Sequence, residues 1–142
     1  MDIDEKLISA FFSTGKILKE KMFFSSDNAI PFSFTQFETL KFIKNRKETT
    51  MKELSGFLQV KPPSATTLTD SLVKNGYICR NVSTKDRRSV ELSLTKKGHS
   101  TLDDCYAKAK IELKKIFSSL NNTDKKEMAT ILQKILKKSN EK

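Results

Sequence analysis

The chain has 142 residues, 37% hydrophobic and 31% charged, with 27 Lys and Arg against 17 Asp and Glu, a formal net charge of +10. That is the size of one domain with a real core, and 4 Gly and 3 Pro exclude a collagen-like or low-complexity chain. Two Cys, one His and no Trp leave no disulfide framework, and with His99 alone there is no set of three or four zinc ligands, so neither a metal nor a cofactor is expected.

Residues 3–24 predict a helix. Ile3, Leu7, Ala10, Phe11, Ile17, Leu18 and Met22 recur at spacings that stack on one face. Phe12, Phe23 and Phe24 widen that face beyond what one small subunit needs. Ser25–Pro31 reads as a loop. A second helix over 34–46 turns Phe34, Phe37, Leu40 and Ile43 inward. Thr50 and Glu53 fit a capping box, in which hydroxyl and carboxylate satisfy orphan amides at a helix start. A short helix over about 51–58 should follow, with Met51, Leu54 and Leu58 inside. Gln59–Lys61 is long enough only for a turn. Pro62-Pro63-Ser64 opens a third helix, because a first-turn proline lacks only an amide that had no partner. Ala65, Leu68, Leu72 and Val73 form its inner face, and Asn75-Gly76 stops it.

Two period-two segments come next and predict strands: Ile78, Arg80 and Val82 alternate with Cys79 and Asn81, and Val90, Leu92 and Leu94 with Ser89, Glu91 and Ser93. The polar tip between them, Ser83–Arg88, carries Lys85, Arg87 and Arg88. Thr95 caps a long helix over about 96–120 with an apolar stripe from Leu102, Cys105 and Tyr106 through Ala109 and Leu113 to Ile116, Phe117 and Leu120. Asn121-Asn122 breaks it, and Asp124 with Glu127 reads as the capping box of a last helix holding Met128, Ile131, Leu132, Ile135 and Leu136. Lys137–Lys142 is expected to fray. No internal repeat is present.

The charge is uneven. Residues 1–32 carry a net −1, residues 33–98 hold 13 basic against 6 acidic side chains for +7, and residues 99–142 carry +4. A basic middle block points to a polyanionic partner, nucleic acid ahead of a membrane surface. The acidic start MDIDEK and the lack of any run of about 18–20 apolar residues predict a soluble, cytoplasmic protein with no membrane partner and reduced thiols.

The element order of the middle block is helix, helix, helix, strand, hairpin, strand. This predicts a mainly α chain with a small β-hairpin wing, a winged helix-turn-helix. The helix at 62–74 can enter a major groove of double-stranded DNA and the hairpin can lie along the adjoining minor groove, whose negative potential attracts Arg. Around the helical wheel, Pro63, Ser64, Thr67 and Ser71 face away from the core, with Thr66 beside them. Their hydroxyls suit base edges or phosphates, and their carbon surface suits a thymine methyl.

Residues 34–98, from FTQFETLKFI through TMKELSGFLQVKPPSATTLTDSLVKNGYICR to STKDRRSVELSLTKKG, resemble the MarR family of bacterial transcription regulators. The Thr-Met-x-Glu-Leu helix start, Leu-Val-Lys-x-Gly-Tyr-Ile, Asp-Arg-Arg and Leu-Thr-x-x-Gly occur together and in order. The resemblance implies one 1–142 subunit with a DNA-binding lobe at 33–98 and dimerisation helices at 1–32 and 99–142. Two subunits would form a homodimer on an inverted-repeat operator of about 16–20 base pairs, whose half-sites meet major grooves one turn apart. It places base contacts at Pro63, Ser64 and Thr67, with Thr66 and Ser71 on the same surface and Thr50 and Lys74 at phosphates. Arg88 would enter the minor groove, Lys85 would attract phosphate, Arg87 would meet backbone or Asp86, and Asp86 would pair with an Arg as a buttress. It also implies repression released by a small aromatic ligand in a crevice drawn from Phe11, Phe12, Phe32, Phe34, Phe37 and Tyr106.

Two other readings compete. A winged-helix module for protein contacts or non-specific DNA packaging keeps the fold and loses sequence choice. A redox-sensing regulator would use Cys79 or Cys105, yet Cys105 lies on an apolar helix face, where a buried thiol is inert. An enzyme is excluded by the lack of a glycine-rich phosphate loop and of any His–Cys or Ser–His–Asp set.

Overall fold

The computed structural model describes residues 1–23, 30–83, 85–86 and 88–140. Phe24, the loop read at 25–31 except for its last two residues, Arg87 and the final two residues lie outside them. Among the described residues six helices and three strands follow in order: α1 Ile3–Phe23, α2 Phe34–Arg46, β1 Thr49–Thr50, α3 Met51–Leu58, α4 Pro62–Lys74, β2 Ile78–Val82, β3 Val90–Leu94, α5 Lys96–Phe117 and α6 Asn122–Ser139.

Helix starts are set by side chains that take up orphan amides. Asp2 and Glu5 cap each other's backbone at the start of α1, which gives the acidic MDIDEK a structural role. Ser33 and Gln36 form a capping box on α2 that the sequence reading missed, and Thr50 and Glu53 form the expected one on α3. The last helix departs from expectation. Its box is Asn121 with Asp124, not Asp124 with Glu127, and α5 ends at Phe117 rather than about 120. Capping patterns three residues apart overlap in this stretch, and the earlier one wins because Asn121 already stands in the extended conformation of a cap. Residues 137–139, expected to fray, are the last turn of α6, which runs to Ser139.

The exit from α4 follows the glycine-capped geometry. Gly76 has φ 79°, its amide donates to Val73 O at 2.9 Å, and the Tyr77 amide donates to Leu72 O at 3.0 Å. Tyr77 then meets the start of α5. The Thr95 amide donates to Tyr77 O at 3.0 Å, and the Thr95 hydroxyl accepts from the Gly98 amide at 3.0 Å while donating to Gly76 O. A Cβ on Gly98 would stand 2.0 Å from Tyr77 O. The spacing Leu94-Thr95-x-x-Gly98 thus records a cap and a close backbone crossing.

The sheet has order β1-β3-β2, antiparallel throughout, with Thr49 opposite Leu92 and Arg80 opposite Leu92 on the other side. β1 was not anticipated, because two residues carry no periodicity. Leu40, Ile43, Leu54, Leu72, Leu92 and Leu102 form a fully buried centre beneath α2, α3, α4 and α5. Thr69 is buried where Leu68 was expected to be, with Leu68 only half-buried. Val82 and Val90, at the far end of the hairpin, are exposed although they alternate correctly. There the wing has left the body, so period two no longer reports a core.

The ends of the chain differ. Ile3, Leu7, Ile8, Phe11, Phe12 and Ile17 of α1 are exposed, Phe11 by 65% and Phe12 by 73%. None of the residues of α6 is buried, and Ile131, Leu132, Ile135 and Leu136 lie open along one face. No helix among the described residues is long and apolar enough to cross a membrane.

Candidate nucleic-acid interface

α4 presents Pro63, Ser64, Thr66 and Thr67 to solvent, while Ser71 is half-buried and so less open than the wheel predicts. The Thr66 hydroxyl donates to Pro62 O at 3.0 Å and the Thr67 hydroxyl to Pro63 O at 3.1 Å. Their protons are thus engaged by the helix itself, and what each offers outward is an acceptor oxygen and a methyl group. Such a surface matches a base-edge amino group or a thymine methyl. Lys74 is exposed in the last turn of α4. The Thr50 hydroxyl caps α3, accepting from the Glu53 amide at 3.1 Å, which leaves its own proton available to an acceptor.

Two contacts fix α4 against the wing. Arg80 on β2 donates from Nη2 to the Asp70 carboxylate and, at 3.1 Å, to the Thr69 hydroxyl. Thr69 in turn donates to Thr66 O at 3.0 Å. These contacts link the reader helix to the hairpin, and because both side chains of the ion pair are partly exposed, Arg80 by 36% and Asp70 by 56%, solvent screens it. The sequence reading placed Arg80 only by alternation and gave Asp70 no role. Their ten-residue separation across a helix end and a strand gives no local signal.

At the wing tip Arg88 and Lys85 are exposed. Asp86 acts on backbone and hydroxyl, not on a guanidinium of the described residues: its carboxylate accepts from the Arg88 amide at 3.0 Å and from the Ser89 hydroxyl at 3.3 Å. The buttress is thus an Asx-type turn. The expected role of Arg87 lies outside the described residues.

Near the wing base two carboxyls shift in opposite directions. Hydrogen bonds from the Thr49 hydroxyl and the Thr50 amide hold Glu53 below its ordinary value, helped by Arg46 at 3.6 Å. Glu48 is raised, first by its hydrogen bond to Glu91 and then by the repulsion of that carboxylate.

The six aromatic residues offered as ligand contacts do not converge. Phe37 and Tyr106 do meet, edge to face at 5.4 Å, on an apolar crevice of about 450 Å³ whose walls also include Met22, Leu113 and Phe117, with Lys41, Lys110 and Lys114. Phe32 instead packs in the core against Tyr77 at 4.8 Å. Phe34 lies against Phe23 at 5.7 Å, and Phe11 and Phe12 touch each other on exposed α1. The lysines and Phe117 were missed because their meeting depends on how α5 crosses α2. Both cysteines are free thiols. Burial pushes the Cys105 thiol above its ordinary value, which disfavours the thiolate that oxidants attack.

The sequence model of the MarR family matches residues 32–90. The HTH-type transcriptional regulator YkoM of Bacillus subtilis is 28% identical over 103 residues, covering 72% of this chain and 67% of that protein. The transcriptional repressor MprA of Escherichia coli K12 is 37% identical over 84 residues, 59% of this chain and 48% of that protein, so the match spans only about half of that relative. Among solved structures, apo MarR from E. coli superimposes with a TM-score of 0.78 at 21% identity, over 96% of this chain and 97% of that one. A mutant MarR from E. coli complexed with operator DNA gives 0.71 at 20% identity, over 96% and 99%.

Proposed function

We propose that the chain is a member of the MarR family, whose sequence model matches residues 32–90, and that it is a homodimeric, sequence-specific DNA-binding regulator. It acts as a repressor at an inverted repeat of about 16–20 base pairs, with recognition helices about 10–10.5 base pairs apart. Pro63, Ser64, Thr66, Thr67 and Ser71 face the major groove. Arg88 enters the minor groove, supported by Lys85 and Arg87, and Thr50 and Lys74 meet phosphates. A small aromatic ligand in the crevice beside Phe37 and Tyr106 releases the DNA by favouring a dimer with the wrong helix spacing.

The observation that carries this reading is the Arg80–Asp70 contact, which links an exposed row of small polar side chains on α4 to an arginine-bearing wing. The exposed apolar faces of α1 and α6 support the dimer, because a lone subunit leaves them in water. Repression needs no further surface, since a dimer seated on a promoter blocks polymerase by occupancy.

The test combines sedimentation at micromolar concentration with titration of symmetric duplexes against random sequence. A dimer that selects one inverted repeat is expected. If about 6–10 phosphates are neutralised, its affinity should fall by roughly 10³–10⁵ between 50 and 200 mM salt. A monomer, or uniform coating of all duplexes, overturns the reading.

A further inference from the structure

We propose that Ser83 and Glu91 are positioning residues that hold the wing tip, and through it Arg88, in the shape that enters the minor groove; this rests on the DNA-binding reading above.

The tip between β2 and β3 contains no glycine, so the turn cannot rely on the residue that adopts left-handed backbone without strain. Side chains hold it instead. Ser83 is 5% exposed at the foot of the tip. Its hydroxyl donates to Glu91 Oε1 at 2.7 Å and accepts from the amides of Lys85 at 3.2 Å and Asp86 at 3.3 Å. A hydroxyl has one donor and two acceptor positions, and all three are in use. The Ser83 amide donates to Ser89 O, and the Ser89 amide to Asp86 O, both at 3.0 Å. Asp86 then takes the Arg88 amide. A continuous path of hydrogen bonds thus leads from Glu91 on β3 through Ser83 and Asp86 to the backbone of Arg88.

The carboxylate of Glu91 is the reason to assign a role. It stands at the base of a DNA-facing hairpin beside Glu48, where a negative charge opposes binding to phosphates. The geometry offsets that opposition: Glu91 Oε1 takes the Ser83 proton, which leaves the Ser83 lone pairs turned toward the Lys85 and Asp86 amides. Asp86 and Glu91, two acids on a basic wing, then serve one purpose from opposite ends of the turn.

The test measures the affinity of the full-length protein for its selected duplex in four variants and one double variant. Ser83→Ala and Glu91→Leu should each weaken binding about fivefold or more, the effect of one lost charge-assisted hydrogen bond. Glu91→Gln keeps an oxygen for the Ser83 hydroxyl and should bind within about twofold of the parent or more tightly. In an Arg88→Ala background, Ser83→Ala should change affinity less than twofold, because its effect passes through Arg88. If Ser83→Ala and Glu91→Leu bind like the parent, or Ser83→Ala loses the same factor with and without Arg88, the inference is overturned while the DNA-binding reading stands. If Arg88→Ala itself binds like the parent, the wing has no part in recognition and the inference falls, while DNA binding through α4 stands. Should Ser83→Ala fail to fold, Glu91→Leu against Glu91→Gln decides alone: equal affinities overturn the brace.

Discussion

The middle and the ends of this chain solve opposite problems. From α2 to the start of α5, the inward faces of helices and sheet meet other parts of the same chain, and Leu40, Ile43, Leu54, Leu72, Leu92 and Leu102 are sealed from water. In α1 and α6 the apolar stripes are as regular, yet Leu7, Phe11, Ile131 and Ile135 remain exposed. Regular amphipathicity thus shows that a face is to be covered without showing by what. The middle seals its own core, whereas the apolar stripes of the ends face water in the single chain.

The sharpest way to break the middle is a single methyl. Gly98→Ala puts a Cβ 2.0 Å from a backbone oxygen that cannot swing aside, and should destabilise the fold by about 3 kcal/mol, the upper range of overpacking, measured by urea unfolding. Gly56→Ala, with nothing within 4 Å of the added carbon, should instead stabilise by about 0.5–1 kcal/mol. The ends break by charge: Phe11→Glu with Ile135→Glu should raise the dimer dissociation constant about a hundredfold or more. Sedimentation reads that change, while the circular dichroism of the winged helix persists. A folded middle that loses its dimer sharpens the comparison; joint unfolding of both regions erases it. Arg88→Ala should weaken operator binding about tenfold, as expected for a minor-groove arginine, and leave the dimer intact, as a gel-shift titration would show.

The smallest effects concern pH. Glu53 has a lowered pKa, so its contribution to stability is present above the ordinary carboxylate range and is lost as pH falls through its own folded value. Glu48 has a raised pKa, so its contribution is full below the ordinary range and is lost as pH rises through its folded value. Glu53→Gln should flatten the acid limb of the stability profile, and Glu48→Gln should remove the loss on its neutral side. Thermal melts between pH 3 and 7 check both signs.

Much of the site was legible because its signals are local. The Thr50–Glu53 box, the Asn75-Gly76 stop and the Pro62–Pro63 start each lie within a few residues, and α4 appears where they place it. Asp86 accepts from the Arg88 amide and the Ser89 hydroxyl, contacts within three residues, whereas its expected pairing with Arg87 lies outside the described residues. The Arg80–Asp70 contact and the Ser83–Glu91 bond join residues 10 and 8 apart across chain reversals, where spacing predicts nothing.

The six helices, the hairpin between the fourth and fifth of them and the concentration of positive charge in the middle were determined by sequence alone, because periodicity, capping and composition act over one or two turns of chain. Only the tertiary structure decided which aromatic residues share the crevice, that Thr69 rather than Leu68 is sealed, and that the far wing is exposed. Those outcomes depend on the angles at which α2, α4 and α5 cross, and crossing angles arise from many contacts distributed along the chain, not from any single stretch of it.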